Sequence, residues 1–176
     1  RQVHACGLEL NTSAIESATL CNLSIINESI AQHAKTHTGS YDVICAFQVL
    51  EHIYDVRGFM NSAVDCLKKG GLLIISVPDN DSFVGSLDPI SDYPPHHLGR
   101  YTIMSIEKIG EVFGLKKNIA IKEPLQKYHY AAVESILLRE LFGVNRFIRN
   151  IFIKMGGLSL VRKMLTTCGK WMNGHT

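Results

Sequence analysis

The feature that most narrows the fold is a pair of short apolar runs flanking one amphipathic helix between Tyr41 and Asp79. The first run, DVICAF at Asp42–Phe47, is apolar and β-branched after its opening aspartate, the pattern of a strand buried on both faces. The second, LLIISV at Leu72–Val77, reads the same way and is stopped by Pro78. Between them the spacing of Phe59, Met60, Ala63, Val64 and Leu67 predicts a helix from about Asp55 to Lys69. Lys68 and Lys69 in its last turn, with Gly70 and Gly71 just beyond, are stop signals. Two buried strands joined by one helix call for a parallel sheet covered by helices.

The flanking sequence continues the alternation. Val3–Leu10 and Leu23–Asn27 read as short strands. Thr12 or Ser13 is placed to cap the helix between them, with Glu16 three residues after Ser13 as in a capping box. Asp79–Arg100 is a long irregular stretch with three prolines and two glycines, and a connection of that length is usually functional. Ser105–Phe113 reads as a helix and Leu115–Lys122 as a strand. Beyond Tyr128 the pattern turns helical. Val144, Phe147, Ile148, Ile151, Phe152 and Met155 fall on one face, with Arg146, Arg149 and Lys154 on the other. Gly156-Gly157 interrupts it, and a second amphipathic segment runs from Leu158 to about Trp171. The expected organisation is an α/β domain over residues 1–127 and a helical basic extension over 128–176.

At 176 residues the chain holds one hydrophobic core, and its 46% hydrophobic and 19% charged residues are those of a globular protein. No apolar run reaches bilayer-spanning length, and Arg1-Gln2-Val3-His4 is not a signal-peptide start. Five cysteines with no CxxC pair read as reduced core thiols of a cytoplasmic protein, not as disulfides or a zinc site. Charge is unevenly placed: from Arg139 onward seven Lys/Arg face one acid, a balance of +6, which leaves −4 of the net +2 to the preceding part. Aromatic residues are not interleaved with these cations, so a nucleic-acid partner is not expected.

Three stretches carry a resemblance. YDVICAFQVLEHI at Tyr41–Ile53 is similar to the fourth strand and following turn of class I S-adenosylmethionine (SAM) methyltransferases (types 11 and 23), where an aspartate opens the strand and an xxLEH element closes it. LKKGGLLIISVP at Leu67–Pro78 resembles the family's glycine turn into its fifth strand, and one amphipathic helix separates the two elements, as in the family. YPPHHLGRYT at Tyr93–Thr102 resembles a PPHH element of a subgroup modifying sugars, lipids or small metabolites. The resemblance as a whole covers roughly residues 3–123. The resemblance implies a Rossmann-like α/β sheet, mostly parallel with helices on both faces, and a helical C-terminal segment. Its first strand and glycine-rich loop would precede Val3, so the domain reads as N-terminally incomplete.

The same resemblance implies SAM as cofactor and assigns site residues. GLELN at Gly7–Asn11 looks like the end of the family's second strand, where an acid accepts hydrogen bonds from both ribose hydroxyls. A carboxylate at a strand's C-terminal edge is an acceptor suited to a vicinal diol, so Glu9 takes that role, with Leu10 against the adenine face. Asn27 or Glu28 would reach the adenine edge, and Asn27 serves equally well as a helix cap. Phe47 and Gln48 would approach the methionine part of the cofactor, with core packing the alternative for Phe47. Glu51-His52 invites an acid/base reading, but in this family the element shapes the turn beneath the cofactor, and His52 is counted with the cofactor-binding residues. His96 and His97 are the candidate general bases, on a loop stiffened by Pro94 and Pro95; shaping that loop is their alternative role. As a metal pair they lack a third ligand at a suggestive spacing, and no metal is expected.

The implied activity is methyl transfer, with O-methylation of a small molecule, sugar or lipid-linked substrate as the expectation. A methyltransferase-like scaffold without activity, binding a partner, is the alternative. The basic C-terminal helices suit either peripheral membrane contact or a homo-oligomer, and packing of their apolar face on the domain is the plainer reading.

Overall fold

The computed structural model describes residues 3–82, 85, 92–123, 130–143, 146–161 and 163. The chain forms two compact units, one of Arg1–Pro78 with His97–Lys116 and one of Asp79–His96 with Lys117–Thr176.

The first unit holds two parallel ladders. β1 (Gly7–Leu8) pairs with β2 (Ile25–Ile26), Gly7 opposite Ile25 and Leu8 opposite Ile26. β3 (Tyr41–Phe47) pairs with β4 (Leu67–Ser76) in a register running from Val43 opposite Leu72 to Phe47 opposite Ser76. Helix α1 (Thr12–Leu20) links the first pair and α3 (Val56–Cys66) the second, the crossover that parallel strands require. A short helix, α2 (Ile30–His33), precedes β3. The core of the unit is built from Ala46, Leu50, Met60, Ala63, Cys66, Leu67 and Tyr101. Helix α4 (Ile103–Val112) follows, capped by Thr102, whose side chain accepts from Ser105 N.

Local chemistry explains the boundaries and corrects several expectations. Asn11, not Thr12 or Ser13, caps α1: its side chain accepts from Ser13 N at 3.0 Å and Ala14 N at 3.3 Å, satisfying amides the helix leaves open. Asn27 caps no helix either. Ser29 caps α2 in a reciprocal box with Gln32, Ser29 N donating to Gln32 Oε1 at 2.9 Å and Gln32 N to Ser29 Oγ at 3.2 Å. The α3 helix starts as expected, with Asp55 accepting from Gly58 N at 2.9 Å, but it ends at Cys66 and not at Lys69. Leu67 is already in the ladder opposite Tyr41, so Lys68 and Lys69 lie in β4. The glycines that follow absorb the irregularity in that ladder. Gly70 has φ of +81°, and a Cβ on Gly71 would stand 2.9 Å from Lys68 O.

Burial differs from the sequence reading as well. β3 is not covered on both faces: Ala46 is buried, but Val43 is 48% and Phe47 60% exposed. Among the described residues β3 has one strand neighbour, β4, and apolar composition cannot supply a second layer. β1 and β2 shrink to two residues each, because a strand lasts only as long as its partner's ladder. No strand forms over 115–122, where Ile119 and Ile121 are 72% and 77% exposed. Of the cysteines, Cys66 alone among the described residues is a core thiol; Cys6, Cys21 and Cys45 are exposed, and Cys168 lies outside the described residues.

In the second unit the helices are α5 (Tyr130–Phe142) and α6 (Arg146–Lys154), whose Phe142 and Phe152 rings approach to 4.9 Å. Val133, Leu138 and Val161 are its buried apolar side chains among the described residues. Helix resumes at 157–161; Val144 and most of the predicted segment ending at Trp171 lie outside the described residues. No helix is long and apolar enough to cross a membrane among the described residues.

Candidate cofactor and catalytic site

Glu9 follows β1, and its carboxylate turns onto its own chain: Oε1 accepts from Leu10 N at 2.7 Å and from Asn11 N at 2.8 Å. These two amides, that of Asn11 foremost, hold its carboxyl below the usual carboxylate range. Glu9 is thus ionised at neutral pH, and Oε2 makes no hydrogen bond among the described residues. An acceptor-only oxygen at the carboxyl end of a parallel strand is what a ribose diol would need, so the residue fits the predicted role. Leu10 beside it is 62% exposed and available to pack on a flat ligand.

Glu28 is turned to other work. Its Oε2 lies 3.1 Å from Nδ1 of His33, which is buried, and His33 Nε2 lies 2.6 Å from Tyr41 Oη. His37 stacks on His33 with ring centroids 3.8 Å apart. Burial, helped by the nearby Cys6 thiol, pushes the Tyr41 hydroxyl up to about 12. This cluster joins α2 to the start of β3, and the sequence reading missed it because Glu28 and His37 lie in the connecting segments around α2 and β3. Asn27 itself is exposed.

At the end of β3 the backbone makes an unusual turn. Gln48 has φ of +54°, a left-handed conformation that non-glycine residues seldom adopt. It is held there by Ser76: Gln48 N donates to Ser76 O at 2.8 Å and Nε2 to Ser76 Oγ at 3.1 Å. Observed backbone strain of this kind is a pointer toward a functional position. Phe47, just before it, projects largely into solvent, which fits ligand contact better than core packing.

The following 3-10 turn, Leu50–His52, carries a second group. Leu50 and Glu51 are buried while His52 is exposed. The segment after Pro95 returns to this turn, with Leu98 N and Gly99 N donating to Glu51 O at 2.7 and 3.0 Å. That contact brings the His97 ring to 4.9 Å from the His52 ring, edge to face. Tyr101, buried beneath, donates from its hydroxyl to Leu50 O at 3.4 Å, and burial together with the Glu51 charge raises its pKa. His97 thus joins His52 and Glu51. His96 is exposed in the other unit, after the cis Pro94-Pro95 bond. Glu51 is the residue whose part here the sequence understated; its place in the LEH motif was the available signal.

Known proteins place this arrangement. The family described as "Methyltransferase domain" matches residues 1–141. A ubiquinone biosynthesis O-methyltransferase of Escherichia coli O9:H4 (strain HS) is 22% identical over 129 residues, 66% of this chain and 52% of that protein. The enzyme of the same description from Cronobacter sakazakii is 32% identical over 63 residues, 36% of this chain and 25% of that protein. The chain thus spans about half or less of the length of these relatives. A SAM-dependent methyltransferase from Archaeoglobus fulgidus shares the fold at a TM-score of 0.56 and 12% identity, over 77% of this chain and 68% of that one. With parallel strands joined by helices, an ionised acid closing β1 and an LEH turn closing β3, the chain belongs to the methyltransferase domain family.

Proposed function

We propose that the protein is a SAM-dependent methyltransferase that methylates an oxygen of a small molecule, a sugar or a lipid-linked acceptor. The observation that carries this reading is Glu9, an acceptor-only carboxylate held ionised at the end of β1 with Oε2 still open to a diol. Oxygen as the acceptor atom is supported by the relatives, which are O-methyltransferases by description. SAM, when bound, supplies a methyl group already activated on a sulfonium, so the protein's task is mainly alignment. In favourable intramolecular reactions proximity and orientation contribute about 7–11 kcal/mol.

The chain's own residues divide that task. Glu9 and Leu10 would hold the ribose and adenine, with Asn27 or the backbone around Glu28 at the adenine edge. Phe47 and Gln48, set by the left-handed turn, would face the methionine part. The His52–His97 pair follows from the same end of β3, and an imidazole there can take the proton of an acceptor hydroxyl. His96, in the same motif, is the other candidate for that proton.

Calorimetric titration of the folded protein with SAM and with its demethylated product tests the reading. Saturable binding of both is expected. A folded protein that binds neither would favour a methyltransferase-like partner-binding domain without activity.

A further inference from the structure

We propose that Glu51, His52 and His97 form a binding site for a divalent transition-metal ion of the zinc type. One ligand atom from each, a carboxylate oxygen and two imidazole nitrogens, lies within 4.8 Å of the others. The decisive feature is Glu51: it is 1% exposed, and neither Oε1 nor Oε2 has a hydrogen-bond partner among the described residues. Buried polar atoms are nearly always bonded, and buried charges are paired or coordinate a metal. A carboxylate with both oxygens unmatched, facing two imidazoles, has the donor set for such an ion.

The scaffold around the three residues is built to hold them. Leu98 N and Gly99 N pin the His97 segment to the Glu51 carbonyl, and the buried Tyr101 supports the turn from below. Gly99 permits this close approach, because a Cβ there would stand 2.6 Å from Tyr101 Oη. Ligands carried on mutually fixed backbone are what a metal site needs. Two imidazoles with one carboxylate suit zinc and its transition-metal neighbours, whereas calcium and magnesium prefer all-oxygen shells. His52 is exposed and His97 half-buried, so the ion is reached from solvent while the carboxylate is not. Three protein ligands leave a position for an oxygen ligand. A coordinated hydroxyl loses its proton more readily, which would serve an O-methyl acceptor. That use rests on the methyl-transfer reading; the binding itself does not.

The test is titration of the folded, chelator-treated protein, without SAM, with Zn²⁺ by calorimetry and with Co²⁺ by visible absorption. One ion per chain is expected. Loss of even an outer-shell partner typically costs about 10–100-fold in metal affinity, so Glu51→Gln and His97→Ala are each expected to cost at least that much. His4→Ala controls for surface histidines and leaves binding unchanged. Circular dichroism confirms each fold, and if Glu51→Gln does not fold, His97→Ala alone decides. No ion bound by the folded wild type, or wild-type affinity in a folded Glu51→Gln or His97→Ala protein, would overturn the proposal. Because SAM is absent, failure here is separate from failure to bind the methyl donor.

Discussion

The backbone oxygen of Glu51 accepts hydrogen bonds from Leu98 N at 2.7 Å and Gly99 N at 3.0 Å, and this tie brings together two stretches that the sequence keeps far apart. Through it the LEH turn after β3 meets the segment that begins at His97, and the His97 ring meets His52. His96, its immediate neighbour, belongs to the other unit.

Gly99 is the residue on which that tie depends. A methyl group there would press on the buried Tyr101 ring, and overpacking of this kind typically costs about 1–3 kcal/mol. Gly99→Ala is therefore expected to lower the urea midpoint accordingly. Tyr101→Phe removes the long 3.4 Å bond to Leu50 O, for which a net loss of about 0.5–1.5 kcal/mol is expected. An unchanged midpoint for Gly99→Ala would show that the segment is free to shift.

The buried His33 links Glu28 to Tyr41. Truncating it in His33→Ala leaves the Tyr41 hydroxyl without that partner, an expected loss of about 1–3 kcal/mol in chemical denaturation. Burial of the Tyr41 hydroxyl, helped by the nearby Cys6 thiol, gives a signature at high pH. Tyr41 is raised from the ordinary 10.0 to about 12, so the folded state holds this proton where the unfolded chain releases it. Its stabilising contribution is complete below the unfolded value and is lost as pH rises through about 12. Tyr101 is raised too, so spectrophotometric titration should show Tyr41 and Tyr101 both ionising above the ordinary tyrosine value. Titration of Tyr41 and Tyr101 at the ordinary value would contradict the burial described.

Glu9 shifts in the opposite sense. Its carboxyl is lowered by the amides of Asn11 and Leu10, so its contribution to stability is present above the unfolded carboxylate value and fades as pH falls through the folded one. Carbon-detected NMR should find Glu9 titrating below the same residue in the denatured chain. Glu9→Ala is expected to weaken SAM binding at least about tenfold, because two ribose hydroxyls lose an ionised acceptor. Unchanged affinity would remove Glu9 from the site.

Helix α6 offers a test at a surface. Ile148 and Ile151 are 50% and 42% exposed, and Met155 just beyond the helix is 81% exposed. The sequence of α6, RFIRNIFIK, contains three cations and no acid. Peripheral contact with a membrane predicts co-sedimentation with anionic vesicles that weakens as salt rises, because screening shortens the reach of the cations. Equal recovery with neutral vesicles, or no recovery at low salt, would count against it.

What the sequence determined by itself was the order of elements and the chemistry at their ends. DVICAF, the Asp55-capped helix and LLIISV each announce themselves through local periodicity, and β3, α3 and β4 follow in that order. The position of Glu9 just after β1 was legible for the same reason, since a polar residue closing a strand is a local signal. The rest depended on contacts that no local window contains. Pairing of Leu67 with Tyr41 ended α3 before its lysines, although helix stop signals pointed further on. With β4 its one neighbour among the described residues, β3 stays open at Val43 and Phe47, since composition sets what a strand can bury but only packing sets what covers it. Most of all, tertiary structure alone turned the histidine pair into two unlike residues. It set His97 beside a buried, unpartnered Glu51 through backbone hydrogen bonds that carry no sequence signature.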